Sequence, residues 1–229
     1  MAYAKDDILD THKDYKETIN LWEFFIRSFN GGYDYMIGQY LNRYNLELDN
    51  EFNQRLANTP CDNHCKNIVQ IYSSFLFRVK PSRDFGAMAE EPSLESFLKD
   101  ADLDGNSFNS VIKQAQNYSS IYGHCFLILD KPKVTTNTRA DELEQDIRPY
   151  VSIVTPENVL DWNFKREING KYSLDYLKIR EDVDRNGGTY MRLWYPDRVD
   201  TVYMKDDRTE PTIIDTADNL IGKIPAVIL

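Results

Sequence analysis

The chain has few of the residues, and none of the short motifs, from which catalytic and metal sites are usually built. Its 229 residues include only three cysteines and three histidines. The sequence contains neither a glycine-rich phosphate loop nor a G-x-S-x-G or H-E-x-x-H motif. We therefore predict that the protein is not an enzyme and that it has no catalytic, cofactor-binding or metal-binding residues.

Long apolar runs are absent as well. No stretch approaches the roughly 18 apolar residues that a membrane-spanning helix needs, and the segment up to Tyr15 lacks the apolar region of a signal peptide. An odd number of cysteines favours free thiols in a reducing compartment. These absences predict a soluble protein with no membrane partner, made in the cytoplasm.

Positive charge is in deficit. The chain carries 27 Lys and Arg residues against 37 Asp and Glu residues, a formal net charge of -10. Most of the surface should therefore repel a phosphate backbone, which gives no support to tight, sequence-independent binding of nucleic acid. Local basic patches are compatible with this balance.

Apolar residues are nevertheless numerous enough for one sizeable core and a smaller lobe. Hydrophobic residues make up 41% of the chain and aromatic residues 13%. The aromatic residues are dense between Tyr15 and Tyr44. We assign residues 1–58 to an N-terminal helical region and residues 59–229 to an α+β core in which helices pack on a mixed or antiparallel sheet.

The segment from Asp100 to Pro132 predicts one helix followed by one buried strand. Apolar and small side chains recur there at steps of three and four, namely at Phe108, Val111, Ile112, Ala115, Ser119 and Tyr122. Gly123 suits the end of a helix, and the unbroken CFLIL that follows suits a strand covered on both faces. Ile112 and Leu127 are accordingly expected to be buried where the helix meets the strand.

A second core helix is predicted to begin at Thr59. Threonine followed by Pro60 and, at the third helical position, Asp62 is a favourable helix start. One apolar face would then comprise Cys61, Cys65, Ile68, Val69, Tyr72, Phe75 and Leu76.

The C-terminal third is predicted to be mostly antiparallel sheet. Apolar and polar residues alternate in a series of segments, of which the first two are YSLDYLKIRE and TYMRLWYP. Asn186-Gly187-Gly188 is a favourable hairpin turn between these two. A further strand is expected at residues 150–154, before a proline turn. The closing LIGKIPAVIL is an unusual end for an independent domain, so the chain is expected to be part of a longer protein.

Asp100, Asp102, Asp104 and Gly105 match the first half of an EF-hand calcium loop. The second half does not match, because position twelve is Val111 where a chelating glutamate is required. An acidic helix N-terminus is the alternative interpretation.

Two other groups of residues could carry chemistry. Zinc could in principle be bound by Cys61, His64, Cys65, His124 and Cys125, but small buried thiols explain the helical spacing better. His12 is expected to be exposed near a mobile end. Glu142, Glu144 and Asp146 could serve a metal-dependent hydrolase, although a solvated acidic loop is the simpler interpretation.

Six segments follow one another in an order that is informative as a whole. They come after the aromatic N-terminal region and are RLANTPCDNHCKNIVQIYSSFLFRVKP, NSVIKQAQNYSSIYGHCFLILDKP, YVSIVTPENVLDW, YLKIRED, MRLWYPDRV and IGKIPAVIL. Over residues 15 to 229 this order resembles the wing region of the portal proteins, or head-to-tail connectors, of tailed bacteriophages. Stem helices and a clip, which such proteins also have, are not identified in this chain.

This resemblance implies a structural virion protein. It would form a ring, typically of twelve subunits, at the portal vertex of the capsid, after assembly in the host cytoplasm. Double-stranded DNA would pass through the ring during packaging and ejection without sequence-specific binding. The implied partners are other copies of the chain, the major capsid protein, a separate terminase motor and tail adaptor proteins. The alternative function is a small soluble binding or regulatory protein that responds to calcium through Asp100–Gly105.

Overall fold

The computed structural model describes residues 3–38, 40–132 and 138–229, and it is an α+β protein in which helices dominate the first part of the chain. The helices are α1 (Lys5–Leu9), α2 (Lys13–Asn30), α3 (Gly32–Ile37), α4 (Asp49–Asn58), α5 (His64–Leu76), α6 (Pro92–Lys99), α7 (Phe108–Tyr122) and α8 (Arg139–Glu144), with short 3-10 turns at Gly86–Glu90 and Pro156–Asn158. The strands are β1 (Phe126–Asp130), β2 (Tyr150–Val154), β3 (Val159–Arg166), β4 (Tyr172–Val183), β5 (Thr189–Trp194), β6 (Arg198–Met204), β7 (Thr212–Asp218) and β8 (Ala226–Ile228).

The predicted helix and strand of the central segment are confirmed as α7 and β1. Ser107 begins α7 by accepting a hydrogen bond from the backbone N–H of Ser110. Gly123 ends the helix in the left-handed region, with φ of 91°, which a residue with a Cβ adopts only with strain. The chain then enters β1 three residues later.

The expected burial of this segment needs correction. Ile112 and Leu127 are only partly buried, whereas Val111, Phe126 and Ile128 are almost fully buried. The strand is not covered on both faces either, because Leu129 is exposed. The reason is that β1 lies in an antiparallel sheet with one better-covered face, where alternate residues point in opposite directions.

The strands form two antiparallel sheets. The smaller sheet has the order β2-β1-β8, in which Leu127 lies opposite Ile153 on one side and Val227 on the other. The larger sheet is a meander, β3-β4-β5-β6-β7, and the turn at Gly187 joins β4 to β5 as the sequence predicted. The mostly antiparallel C-terminal third is thus confirmed, and both sheets are antiparallel.

One apolar cluster joins the two sheets. Phe126 and Ile128 of β1 pack with Leu177 and Ile179 of β4 and with Trp194 of β5. A second cluster, on the larger sheet, is covered by α1, whose Ile8 packs against Leu160, Met191 and Val202. Burial of these side chains, at about 25 cal/mol per Å² of apolar surface, is the main contribution that holds the layers together.

Within the described residues, no helix is both long enough and apolar enough to cross a membrane.

Candidate assembly surface

Helix α5 begins later than the sequence predicts. Thr59 belongs to the end of α4, because its N–H and its hydroxyl both donate to the carbonyl oxygen of Arg55, at 2.9 and 2.6 Å. The cap of α5 is Asn63, whose side-chain oxygen accepts from the N–H of Lys66 at 2.8 Å. The amide nitrogen of Asn63 also donates to the carbonyl of Phe29, so a contact with α2 helps to place the helix start.

The apolar face of α5 does not point into the chain's own core. The helix packs on α2 and α7, and the covered side carries Val69 and Ser73, of which only Ser73 is fully buried. The neighbouring stripe, spaced at three and four residues, stays exposed, with 69% of Phe75 and 67% of Tyr72 accessible to solvent. We call this stripe the α5 face: Ile68, Ile71, Tyr72, Phe75 and Leu76.

The α5 face is a surface of the kind that proteins cover with a partner. A shallow groove runs along it, lined by polar Asn67, Gln70 and Ser74 as well as by apolar Ile71 and Phe75. Large contiguous apolar patches on an isolated chain mark interaction sites more often than scattered single residues do. The prediction of a second core helix was therefore wrong for the isolated chain, since spacing alone shows which residues share a face and not what covers that face.

The acidic segment Asp100–Gly105 is a loop whose carboxylates accept hydrogen bonds from nearby backbone and side-chain groups of the same chain. Asp100 pairs with Nη2 of Arg148 at 2.7 Å and accepts from the N–H of Gly105 at 2.9 Å. Asp102 accepts from the N–H groups of Asp104 and Asn106 at 3.0 and 3.1 Å, and from the Asn106 side chain at 2.7 Å. These carboxylates stabilise the loop and the approach of Arg148.

Electrostatics agree with this geometry. Burial raises the pKa of Asp102, but the hydrogen bonds from Asn106 and Asp104 outweigh burial and leave the pKa below its ordinary value. Val111, at the position where a calcium loop needs its last carboxylate, is buried in the cluster with Ala101 and Val151. Nothing in this arrangement favours the calcium-responsive alternative.

The cysteines and histidines are separated into different surroundings. Cys125 is buried and its thiol donates to the carbonyl of Ala115 at 3.2 Å, whereas Cys65 is exposed on α5. His124 lies edge-on to Trp22 and Phe126, with centroid distances of 5.8 and 5.7 Å, and burial lowers its pKa. In the part of the chain that the structure describes, no group of three or more His, Cys, Asp and Glu residues is placed to hold a metal ion.

His12 is not the exposed residue that the sequence predicts. Its Nδ1 caps α2 by accepting from the N–H of Asp14 at 3.2 Å, and its ring stacks on Trp162 at 4.1 Å. The contact joins the helical region to β3, because the backbone N–H of His12 also donates to Leu160 at 2.9 Å.

The acidic residues near α8 pair with cations and not with one another. Glu142 accepts from Nζ of Lys131 at 2.8 Å, and Asp146 accepts from Nε of Arg148 at 3.0 Å. Glu144 is exposed. Paired carboxylates of this kind stabilise surface loops and give no geometry for general acid-base chemistry.

A cavity of about 230 Å³, lined by both apolar and charged side chains, lies between the two sheets. Arg192 of β5 spans it, with an ion pair to Asp130 of β1 and another from its Nε to Glu181 of β4 at 3.0 Å. Tyr150 donates to the same Asp130 at 3.1 Å. Asp130, Glu181 and Arg192 are thus partners of each other, and their effect is to tie the smaller sheet to the larger one.

Most of the charges described above pair within the chain, while the α5 face is left uncovered. An exposed apolar face of this kind is typical of proteins that assemble with other chains. The family model described as "Phage portal protein, SPP1 Gp6-like" matches residues 24–229. The chain belongs to this family of phage portal proteins, which are structural, ring-forming components of the virion capsid that associate with capsid and tail.

No curated protein matches the chain significantly.

Proposed function

We propose that this chain forms the ring-shaped portal at one vertex of a phage capsid, through which double-stranded DNA enters during packaging and leaves during ejection, and to which the tail attaches. The family match over residues 24–229 is the observation that carries the proposal. Its partners are further copies of the chain, the major capsid protein, a separate terminase motor and tail adaptor proteins.

The charge balance favours a channel through which DNA passes, in preference to a protein that binds DNA tightly. A duplex that is held by many Lys and Arg contacts to phosphates releases counterions and binds tightly. A chain with net charge -10 repels a duplex over most of its surface, so DNA can slide past without being held. Movement then requires force from outside the chain, which is the role assigned to the terminase.

A phage that lacks the gene for this protein tests the proposed role directly. Cells infected by the deletion phage should accumulate heads without packaged DNA, and expression of the complete gene in trans should restore DNA-filled heads. The purified protein should show neither nucleoside triphosphate hydrolysis nor retention of duplex DNA at physiological salt. DNA-filled heads in the absence of the gene would contradict the proposed function.

A further inference from the structure

The α5 face lies in the most basic part of an acidic chain. Residues 63–83 contain four Lys and Arg residues, at Lys66, Arg78, Lys80 and Arg83, and no Asp or Glu residue. The apolar stripe is therefore combined with an excess of positive charge. A partner that covers it without electrostatic cost must present apolar side chains among negative ones.

The outer edge of the larger sheet has the complementary composition. Strand β7 pairs with β6 and is the last strand of its sheet. Residues 205–221, which contain it, carry five acidic residues against two basic ones. We call residues 205–221 the β7 edge. Its exposed apolar side chains are Ile214, Leu220 and Ile221.

Ile214 shows how the edge presents an apolar side chain. The pairing of β6 with β7 shifts register between Thr201 and Val202, whose partners are Asp215 and Ile213. Ile214 is the extra residue of this bulge, and 53% of it is exposed. A bulge also disturbs the regular ladder at an open sheet edge, so contact there depends on side chains more than on an added strand.

We propose that the α5 face of one copy of this chain docks on the β7 edge of a second copy. The inference rests on the proposed function, because it assigns the two surfaces by which neighbouring subunits of the ring meet. Apolar burial at Phe75, Tyr72 and Ile214 supplies the attraction, and the opposite charges orient the two copies.

Charge also selects the symmetry of the contact. Two α5 faces brought together would oppose two surfaces with an excess of positive charge, and two β7 edges would oppose two surfaces with an excess of negative charge. Only the pairing of unlike surfaces brings opposite charges together. Such a contact is heterologous, and repeated heterologous contacts close into a ring when the rotation between neighbours allows it.

Two blocked variants of the full-length protein test the pairing. The first, Ile71→Glu with Phe75→Glu, places negative charge on the α5 face; the second, Ile214→Lys with Asp218→Lys, places positive charge on the β7 edge. All four positions are exposed, so each variant should fold and melt like the parent. If the glutamates lower the melting temperature, Tyr72→Ser with Phe75→Ser replaces the first variant. Ile168→Glu and Ile168→Lys, at a fully exposed turn, are the matched controls.

Each blocked variant alone should lose ring-sized particles at concentrations at which the parent and the controls assemble. An equimolar mixture of the two should form a one-to-one dimer, because the mixture retains one intact α5 face and one intact β7 edge per pair. Rings from either variant alone, or no dimer in the mixture, would overturn the assignment of these surfaces while the proposed function stands. A parent chain that stays monomeric would overturn both.

Discussion

The ammonium group of Lys178, on β4, donates a hydrogen bond of 3.0 Å to the carbonyl oxygen of Asp7, in α1. The same group donates to the carbonyls of Ile8, at 3.3 Å, and Asp10. Lys178 has no exposed surface, and burial lowers its pKa. Its donors satisfy carbonyls that the end of a helix leaves without partners. A buried cation therefore fixes the first helix on the larger sheet.

Replacing Lys178 by methionine should loosen α1. The side-chain volume is nearly kept, but three carbonyl oxygens lose a donor. The carbonyl of Ile8 is buried, and an unsatisfied buried group costs about 1–3 kcal/mol; the carbonyls of Asp7 and Asp10 are partly open to water. We expect a lower melting temperature and faster proteolysis near residues 5–10. Lys171→Met, at an exposed position, is the control. Parent-like melting and proteolysis of Lys178→Met would contradict this role.

Two isoleucines that the sequence pattern does not distinguish should contribute differently to the free energy of unfolding, because they differ in burial. Ile128 is 3% exposed and packs between the sheets, so Ile128→Ala should cost about 2–5 kcal/mol of unfolding free energy. Ile112 is partly exposed on α7, and the same substitution there should cost clearly less. Denaturant unfolding of both variants measures the difference, and equal losses would contradict the described packing.

Calcium should leave the protein unchanged. The carboxylates of Asp100 and Asp102 already accept from Arg148, Gly105 and Asn106, and Val111 provides no ligand at the loop's last position. Adding millimolar calcium should therefore not shift the thermal unfolding curve. A rise in melting temperature that chelation reverses would restore the calcium-responsive alternative.

Acid should weaken the contact between Glu47 and Arg55. Two hydrogen bonds of 2.8 Å from Arg55 lower the pKa of Glu47 from 4.5 to about 2. Because the folded-state pKa is the lower one, the stabilisation is complete above pH 4.5 and is lost as pH falls toward about 2. The melting temperatures of parent and Glu47→Gln should converge over that window. A carboxyl resonance of Glu47 that titrates at its ordinary pKa would contradict the pairing.

The sequence predicts elements whose signals are local. Gly123 marks the end of α7 because few other residues adopt its backbone conformation, and Gly187 marks the β4–β5 hairpin for the same reason. Helix α5 shows the limit of such signals. Thr59 and Asn63 are both favourable caps, and a contact of Asn63 with the distant Phe29 helps to place the helix start at Asn63.

Which side of helix α5 is covered depends on tertiary packing, and the spacing of apolar residues in the sequence does not show it. Ser73, a polar residue, is buried against neighbouring helices while Phe75 is exposed. Residues 63–83 contain four Lys and Arg residues and no Asp or Glu residue, and this charge pattern is the signal that could have indicated an outward-facing surface.

Electron microscopy of the full-length protein tests the central claim, that this chain acts as a ring-forming subunit, most directly. Class averages of the purified protein under assembly conditions should show closed rings with a central channel and a single cyclic symmetry. A preparation that contains only monomers or small closed dimers, at concentrations well above those of assembly in an infected cell, would contradict the account.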